Sequence, residues 1–196
     1  MNAEVIDKKE FRAIKKDLDD HSEKKIMLNN KSRQLVRLSK QLIYATNRGQ
    51  PDEAAKHLKE IKKRRGELDK IASTPKLRYW GPYQIAVQEY VEALAFHQII
   101  TKDVLPKRKP LKAESDTYVM GLSDLTGELV RKAVDHMIGE KYEDALKLRE
   151  VVADIYSNIL GLDLDGGEAR RKTDQIKWNL NKLDDLIFEA KIRDKI

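Results

Sequence analysis

The chain has 196 residues, enough for one substantial core, with 40% hydrophobic and 37% charged residues and a formal net charge of +6. It holds no cysteine, which excludes disulfides, thiolate zinc sites and a cysteine nucleophile. Its four histidines (His21, His57, His97 and His136) fall in no zinc spacing, no run approaches a membrane span, and Met1 to Val5 form no apolar leader, so a soluble, cytoplasmic protein is expected.

The positive charge is uneven. Residues 1–72 carry 19 Lys/Arg against 12 Asp/Glu, residues 73–112 carry 7 against 3, and residues 113–196 carry 13 against 18. The front of the chain could face phosphates, whereas the back could not do so uniformly; a solvated charged surface is the plain alternative.

Helical periodicity dominates, with Gly and Pro at boundaries. A first helix is expected from near Glu4 to near Arg48, with Ile14, Leu18, Leu28, Leu35, Leu38, Leu42 and Tyr44 on its apolar line and a break near His21-Ser22, because the run is long for a globular helix. Gly49-Gln50-Pro51 closes it. Pro51, Asp52 and Glu53 suit the first turn of a second, very basic helix that ends near Ala72. Its Lys62, Lys63, Arg64 and Arg65 read as a solvated face.

Ser73-Thr74-Pro75 reads as a loop, and Tyr83 to Lys102 as a third helix. Leu105 to Pro110 reads as a basic linker, followed by helices over about Ser115–Ile138, Tyr142–Leu160 and Glu168–Arg193. Gly161 and Gly166-Gly167 mark the turn before the last helix. No persuasive strand or fixed-period repeat is present. The expected architecture is a single all-α domain over residues 1–196, an antiparallel bundle of six to seven helices.

Two stretches interrupt apolar helices with acids one turn apart. Glu89 and Glu92 lie in Gln88-Glu89-Tyr90-Val91-Glu92-Ala93, and Phe96 and Ile99 follow on nearly the same line. Asp124 and Glu128 lie in Gly121-Leu122-Ser123-Asp124-Leu125-Thr126-Gly127-Glu128-Leu129. Gly121 and Gly127 each cost a helix roughly 1 kcal/mol relative to Ala, which suggests close approach by another helix or a ligand. An exposed charged face is the commoner cause of such spacing. If the four carboxylates converge, a hard divalent cation among them would support metal-assisted phosphodiester hydrolysis.

Arg33, Arg37 and Lys40 fall four and three residues apart and form a basic ridge interleaved with Leu35 and Leu38. Arg131 follows Glu128 by one turn, as an ion pair would. Tyr79, Trp80 and Tyr83 read as packing or helix-end anchors rather than base-stacking groups.

Both acidic stretches, together with the Arg33-Gln34-Leu35-Val36-Arg37-Leu38-Ser39-Lys40 run and the last helix, resemble the translin superfamily and within it the Trax (translin-associated factor X) branch. The resemblance spans roughly residues 31 to 194. It implies a bundle of about seven helices and a barrel-like homo-oligomer, an octamer, that binds single-stranded RNA and DNA inside. It also implies a Mg²⁺- or Mn²⁺-dependent endoribonuclease with Glu89, Glu92 and Asp124 as catalytic metal ligands. Glu128, in the same motif, would be a further ligand or a base orienting the attacking water. Arg33, Arg37, Lys40, Arg48 and Arg131 would hold phosphates. The alternative is a non-catalytic single-stranded RNA/DNA-binding protein of translin type. Gly81, Pro82 and Gln84 stand where translin has a basic, His-containing stretch, and the compact loops suit a prokaryotic or archaeal homologue that assembles with itself.

Overall fold

A computed structural model describes residues 6–162, 164 and 167–193. The expected helix start near Glu4 and the Gly166 half of the Gly166-Gly167 turn lie outside these residues. Among these residues six long helices carry the fold: α1 (Lys8–Asn47), α2 (Pro51–Ile71), α4 (Gly81–Lys102), α6 (Ser115–Ile138), α7 (Tyr142–Leu160) and α8 (Glu168–Ile192). Two single turns, α3 (Pro75–Arg78) and α5 (Arg108–Leu111), sit where the sequence suggested a loop and a linker. Each forms beside a proline whose fixed φ suits a short helical turn.

α4 is the axis of the molecule. It packs against α1, α2 and α6, and α6 in turn packs against α7 and α8. Ala86 to Gln88, Tyr90 to His97 and Ile99 are all buried, so α4 is enclosed on nearly every side. A helix covered all round is apolar all round, which makes its two acids exceptional. The stripe of Tyr83, Val87, Tyr90, Val91, Leu94 and Ala95 is buried. In α6, Leu122, Leu125, Leu129 and Ala133 are buried, with Tyr118 and Met137 half-buried beside them.

α1 corrects two expectations. It runs unbroken through His21-Ser22 for 40 residues, with Asp7 accepting the Lys9 backbone N–H at 2.8 Å as its N-cap. Its residues from Lys8 to Asp20 are all exposed, Ile14 and Leu18 included. The buried line begins at Leu28 and continues through Leu35 and Leu42, a strict seven-residue spacing onto α4 and α2. Tyr44 is 55% exposed and off that line. Lys25 lies 4.0 Å over the Trp80 ring, whose indole N–H donates to Asn29 at 2.9 Å. Further along, Thr46 Oγ1 meets His97 Nδ1 at 2.9 Å in the core.

Arg65 is a further correction. Instead of joining a solvated face, it is 4% exposed. It pairs with Asp69, donates to the Lys112 carbonyl at 2.9 Å and to the Tyr83 hydroxyl at 3.3 Å, and that hydroxyl donates on to Asp69 at 3.0 Å. Its neighbours Lys62 and Lys63 are exposed as expected, while Arg64 pairs with Glu60 and Glu67. Among the described residues, no helix is long and apolar enough to cross a membrane.

Candidate metal and nucleic-acid site

The site begins with a close helix crossing. A Cβ placed on Gly121 would lie 2.9 Å from the Gln88 carbonyl oxygen and from two carbons of Val91, so only glycine lets α6 approach α4 this closely. The second glycine has another setting. A Cβ on Gly127 would meet nothing nearer than Asn179 Nδ2 at 3.9 Å, so helix contact does not require it; the residue borders a cleft.

That cleft, of about 600 Å³, is lined by all four acids of the two motifs: Glu89 and Glu92 from α4, Asp124 and Glu128 from α6. Lys40, Tyr44 and Asn47 of α1, Arg131 of α6 and Gln175 of α8 complete its rim. The solvated-face alternative fails most clearly at Glu92, which is 8% exposed. Burial, followed by the negative charges of Glu89, Asp124 and Glu128, pushes the Glu92 carboxyl up to about 8. Burial also raises Glu89, with Lys40 acting in the opposite direction and Asp124 adding to the rise.

The other acids are engaged with cations of the chain itself. Lys172 of α8 places its ammonium 2.7 and 2.6 Å from the two Asp124 carboxylate oxygens, and the Gln88 amide donates to the same carboxylate. Lys40 stands 3.7 Å from Glu89, and Arg131 stands 3.3 Å from Glu128. Among the described residues, no three Asp, Glu or His side chains are already arranged to clasp a metal ion. The donor set is nonetheless all carboxylate oxygen, which matches the preference of Mg²⁺ and Mn²⁺ for hard ligands. Loading the cluster would require the lysine and arginine partners to yield.

The expected phosphate-binding residues divide into three settings. Arg33, Arg37 and Lys40 line a largely apolar groove of about 840 Å³ between α1, α2 and the start of α4, with Tyr44 and His57 beside them. Lys40 and Tyr44 border both this groove and the acidic cleft, so the two depressions are neighbours. Arg131 lies on the cleft itself. Arg48 caps the end of α1 and stacks its guanidinium 4.3 Å over the Tyr44 ring. Of the aromatic residues around the start of α4, Tyr83 is buried and Trp80 is anchored as expected, while Tyr79 is 74% exposed.

Sequence reasoning missed Lys172, Gln88 and the role of Tyr44 in the rim. A signal for Lys172 does exist: Lys172, Gln175 and Asn179 recur at helical spacing on one polar stripe of α8. Asn179 donates to Thr126 Oγ1 at 2.8 Å, which holds that stripe on α6.

Comparison with known proteins gives consistent results. The family model described as Translin family matches residues 7–194. An uncharacterised protein of Methanocaldococcus jannaschii is 27% identical over 113 residues, 57% of this chain and 50% of that protein. The Translin of Gallus gallus is 20% identical over 117 residues, 56% of this chain and 51% of that protein. The chain thus spans about half the length of these two relatives. Among solved structures, apo-NeC3PO superposes with a TM-score of 0.86 at 27% identity, covering 95% of this chain and 98% of its own. AfC3PO in complex with duplex RNA superposes with a TM-score of 0.86 at 21% identity, covering 94% and 97%.

Proposed function

This chain belongs to the translin family, and on that premise we propose that it is a metal-dependent endoribonuclease of Trax-like type, cutting single-stranded RNA and also binding single-stranded DNA. The observation that carries this reading is the meeting of four carboxylates from α4 and α6 in one cleft, next to the basic groove of α1. A protein that only bound nucleic acid would gain nothing from acids that repel phosphate. The similarity to AfC3PO, solved with duplex RNA, adds support for an RNA ligand.

Glu89, Glu92, Asp124 and Glu128 would hold Mg²⁺ or Mn²⁺, which when bound supplies phosphoryl polarisation and a water of lowered pKa. The chain's own groups do the rest. Lys40 and Arg131, both well exposed on the rim, turn from their carboxylates towards the phosphates that flank the cut. Arg33 and Arg37 continue the phosphate track along α1, and the apolar wall between them accepts unpaired bases. Tyr44, exposed and backed by Arg48, offers a stacking face where the groove meets the cleft. Glu128 would serve either as a further ligand or as the base that orients the attacking water. Glu92 keeps its proton while the cluster is bare, and a cation held there would favour its ionised form. We extend the proposal to a homo-oligomer, an octamer, whose contacts would cover exposed apolar residues such as Phe11, Leu18, Trp178 and Phe188.

The test is cleavage of a labelled single-stranded RNA with Mg²⁺, with Mn²⁺ and with EDTA, for the parent protein beside Glu89→Gln and Asp124→Asn. Metal-dependent cutting that is lost in both variants, with RNA still bound, is the expected result. Full activity in either variant would remove that residue from the mechanism. One observation favours a second reading, a non-catalytic single-strand binder: Lys172, Lys40 and Arg131 already neutralise three of the four acids. Binding without cutting in either metal would support it.

A further inference from the structure

Asp124 already has a cation. The Lys172 ammonium sits 2.7 and 2.6 Å from its two oxygens and so takes both of the atoms a metal ion would use. Among the described residues three cations of the chain touch the cluster, and they differ in shelter. Lys40 and Arg131 have side chains 68% and 67% exposed, at 3.7 and 3.3 Å from their partners, and either can turn into water with little loss. The Lys172 side chain is 17% exposed and that of Asp124 is 25% exposed, so this pair is tighter and better shielded than the other two.

Lys172 projects from α8, whereas the acids come from α4 and α6. Asn179, seven residues further along α8, bonds Thr126 of α6 and fixes the helix in place. Moving the lysine therefore requires only rotation of its own side chain, with α8 staying docked. A divalent ion bonded to Asp124 at roughly 2.0–2.6 Å would stand against that ammonium, and two like charges at such a distance exclude one another.

We propose that Lys172 is a built-in counter-ion of the acidic cluster, which a divalent ion must displace from Asp124, so that its release sets the metal affinity of the site. This rests on the metal-binding reading given above. It assigns two states to the cleft, one closed by the lysine and one loaded with metal. It also gives the metal-free fold a means of tolerating four neighbouring carboxylates. Tightening or loosening this one ion pair should tune the metal requirement without altering any metal ligand.

The test is a Mn²⁺ titration by calorimetry and by electron paramagnetic resonance on the full chain, for the parent protein, Lys172→Met, Lys172→Arg and Glu89→Gln, with helicity checked by circular dichroism. Lys172→Met is expected to bind Mn²⁺ at least tenfold more tightly than the parent, and Lys172→Arg to bind close to the parent. Equal or weaker binding by folded Lys172→Met, with the parent still binding saturably and Glu89→Gln not, overturns the counter-ion proposal and leaves the metal site standing. No saturable binding by parent or variants overturns both. Should Lys172→Met fail to fold, the parent alone decides by nitrogen-15 spectroscopy of its lysine ammonium groups. A Lys172 signal protected in EDTA and released by Mg²⁺ supports displacement, and a signal unmoved at saturating Mg²⁺ overturns it.

Discussion

Glu92 gives the sharpest physical test of the cluster. An unfolded chain leaves this carboxyl near its ordinary value of 4.5, whereas the fold holds it at about 8. Between those values the folded state keeps a proton that the unfolded state has lost. Stability then falls as pH rises, by about 1.4 kcal/mol per pH unit, and levels off above the folded value. Metal-free protein should therefore lose about 2–3 kcal/mol from this residue between pH 6 and pH 8. Glu92→Gln keeps the shape of the protonated acid and has nothing to titrate. Urea denaturation in EDTA at half-unit pH steps, for both proteins, measures the difference directly. The two curves should lie closest at low pH and diverge steadily, with the Gln variant the more stable at pH 8. Parallel curves across that range would refute the argument, because they would mean that Glu92 is solvated and that the four acids do not share one cleft.

Further outcomes follow from the same geometry. Gly121→Ala should destabilise the fold by about 1–3 kcal/mol through forced separation of α4 and α6, whereas Gly127→Ala should raise stability by up to about 1 kcal/mol on helix propensity; thermal melts of the two variants check the contrast. Arg65→Met should cost about 3–5 kcal/mol because it leaves Asp69 without its paired cation, with only the Tyr83 hydroxyl still donating to it, and takes the Arg65 donor from the Lys112 carbonyl, while Lys63→Met should change the denaturation midpoint hardly at all. For nucleic-acid binding, Arg33→Ala and Arg37→Ala should each weaken single-stranded RNA affinity and lower the slope of log affinity against log salt by about one. A fluorescence anisotropy series over salt concentration reads both quantities.

Much of this architecture is legible in the chain because its signals are local. Gly49-Gln50-Pro51, Gly139 and Gly161 punctuate the helices where the sequence places them. The one-turn spacing of Glu89 with Glu92, and of Asp124 with Glu128, puts each pair on the side of its helix that meets the cleft. Apart from the two proline-flanked turns α3 and α5, the failures are non-local. Arg65 reads as one more charge in a basic run, and only its contacts with Asp69, Tyr83 and the distant Lys112 carbonyl reveal it as a core residue. Lys172 lies 48 positions from Asp124, so nothing short of the packed bundle joins them. Ile14 and Leu18 continue the α1 periodicity, yet periodicity cannot say where the neighbouring helices end.

The solvated first half of α1 divides one rod into two energetic regimes. From Leu28 onward its backbone hydrogen bonds lie beneath side chains shared with α2 and α4, so they open only when the core opens. Between Lys8 and Asp20 the same bonds face water on every side, and a helical segment of that length is marginal alone. Fraying can therefore travel inward from Asp7 without disturbing the acidic cleft. It stops where Lys25 and Asn29, one turn before and one residue after the first buried leucine, grip Trp80.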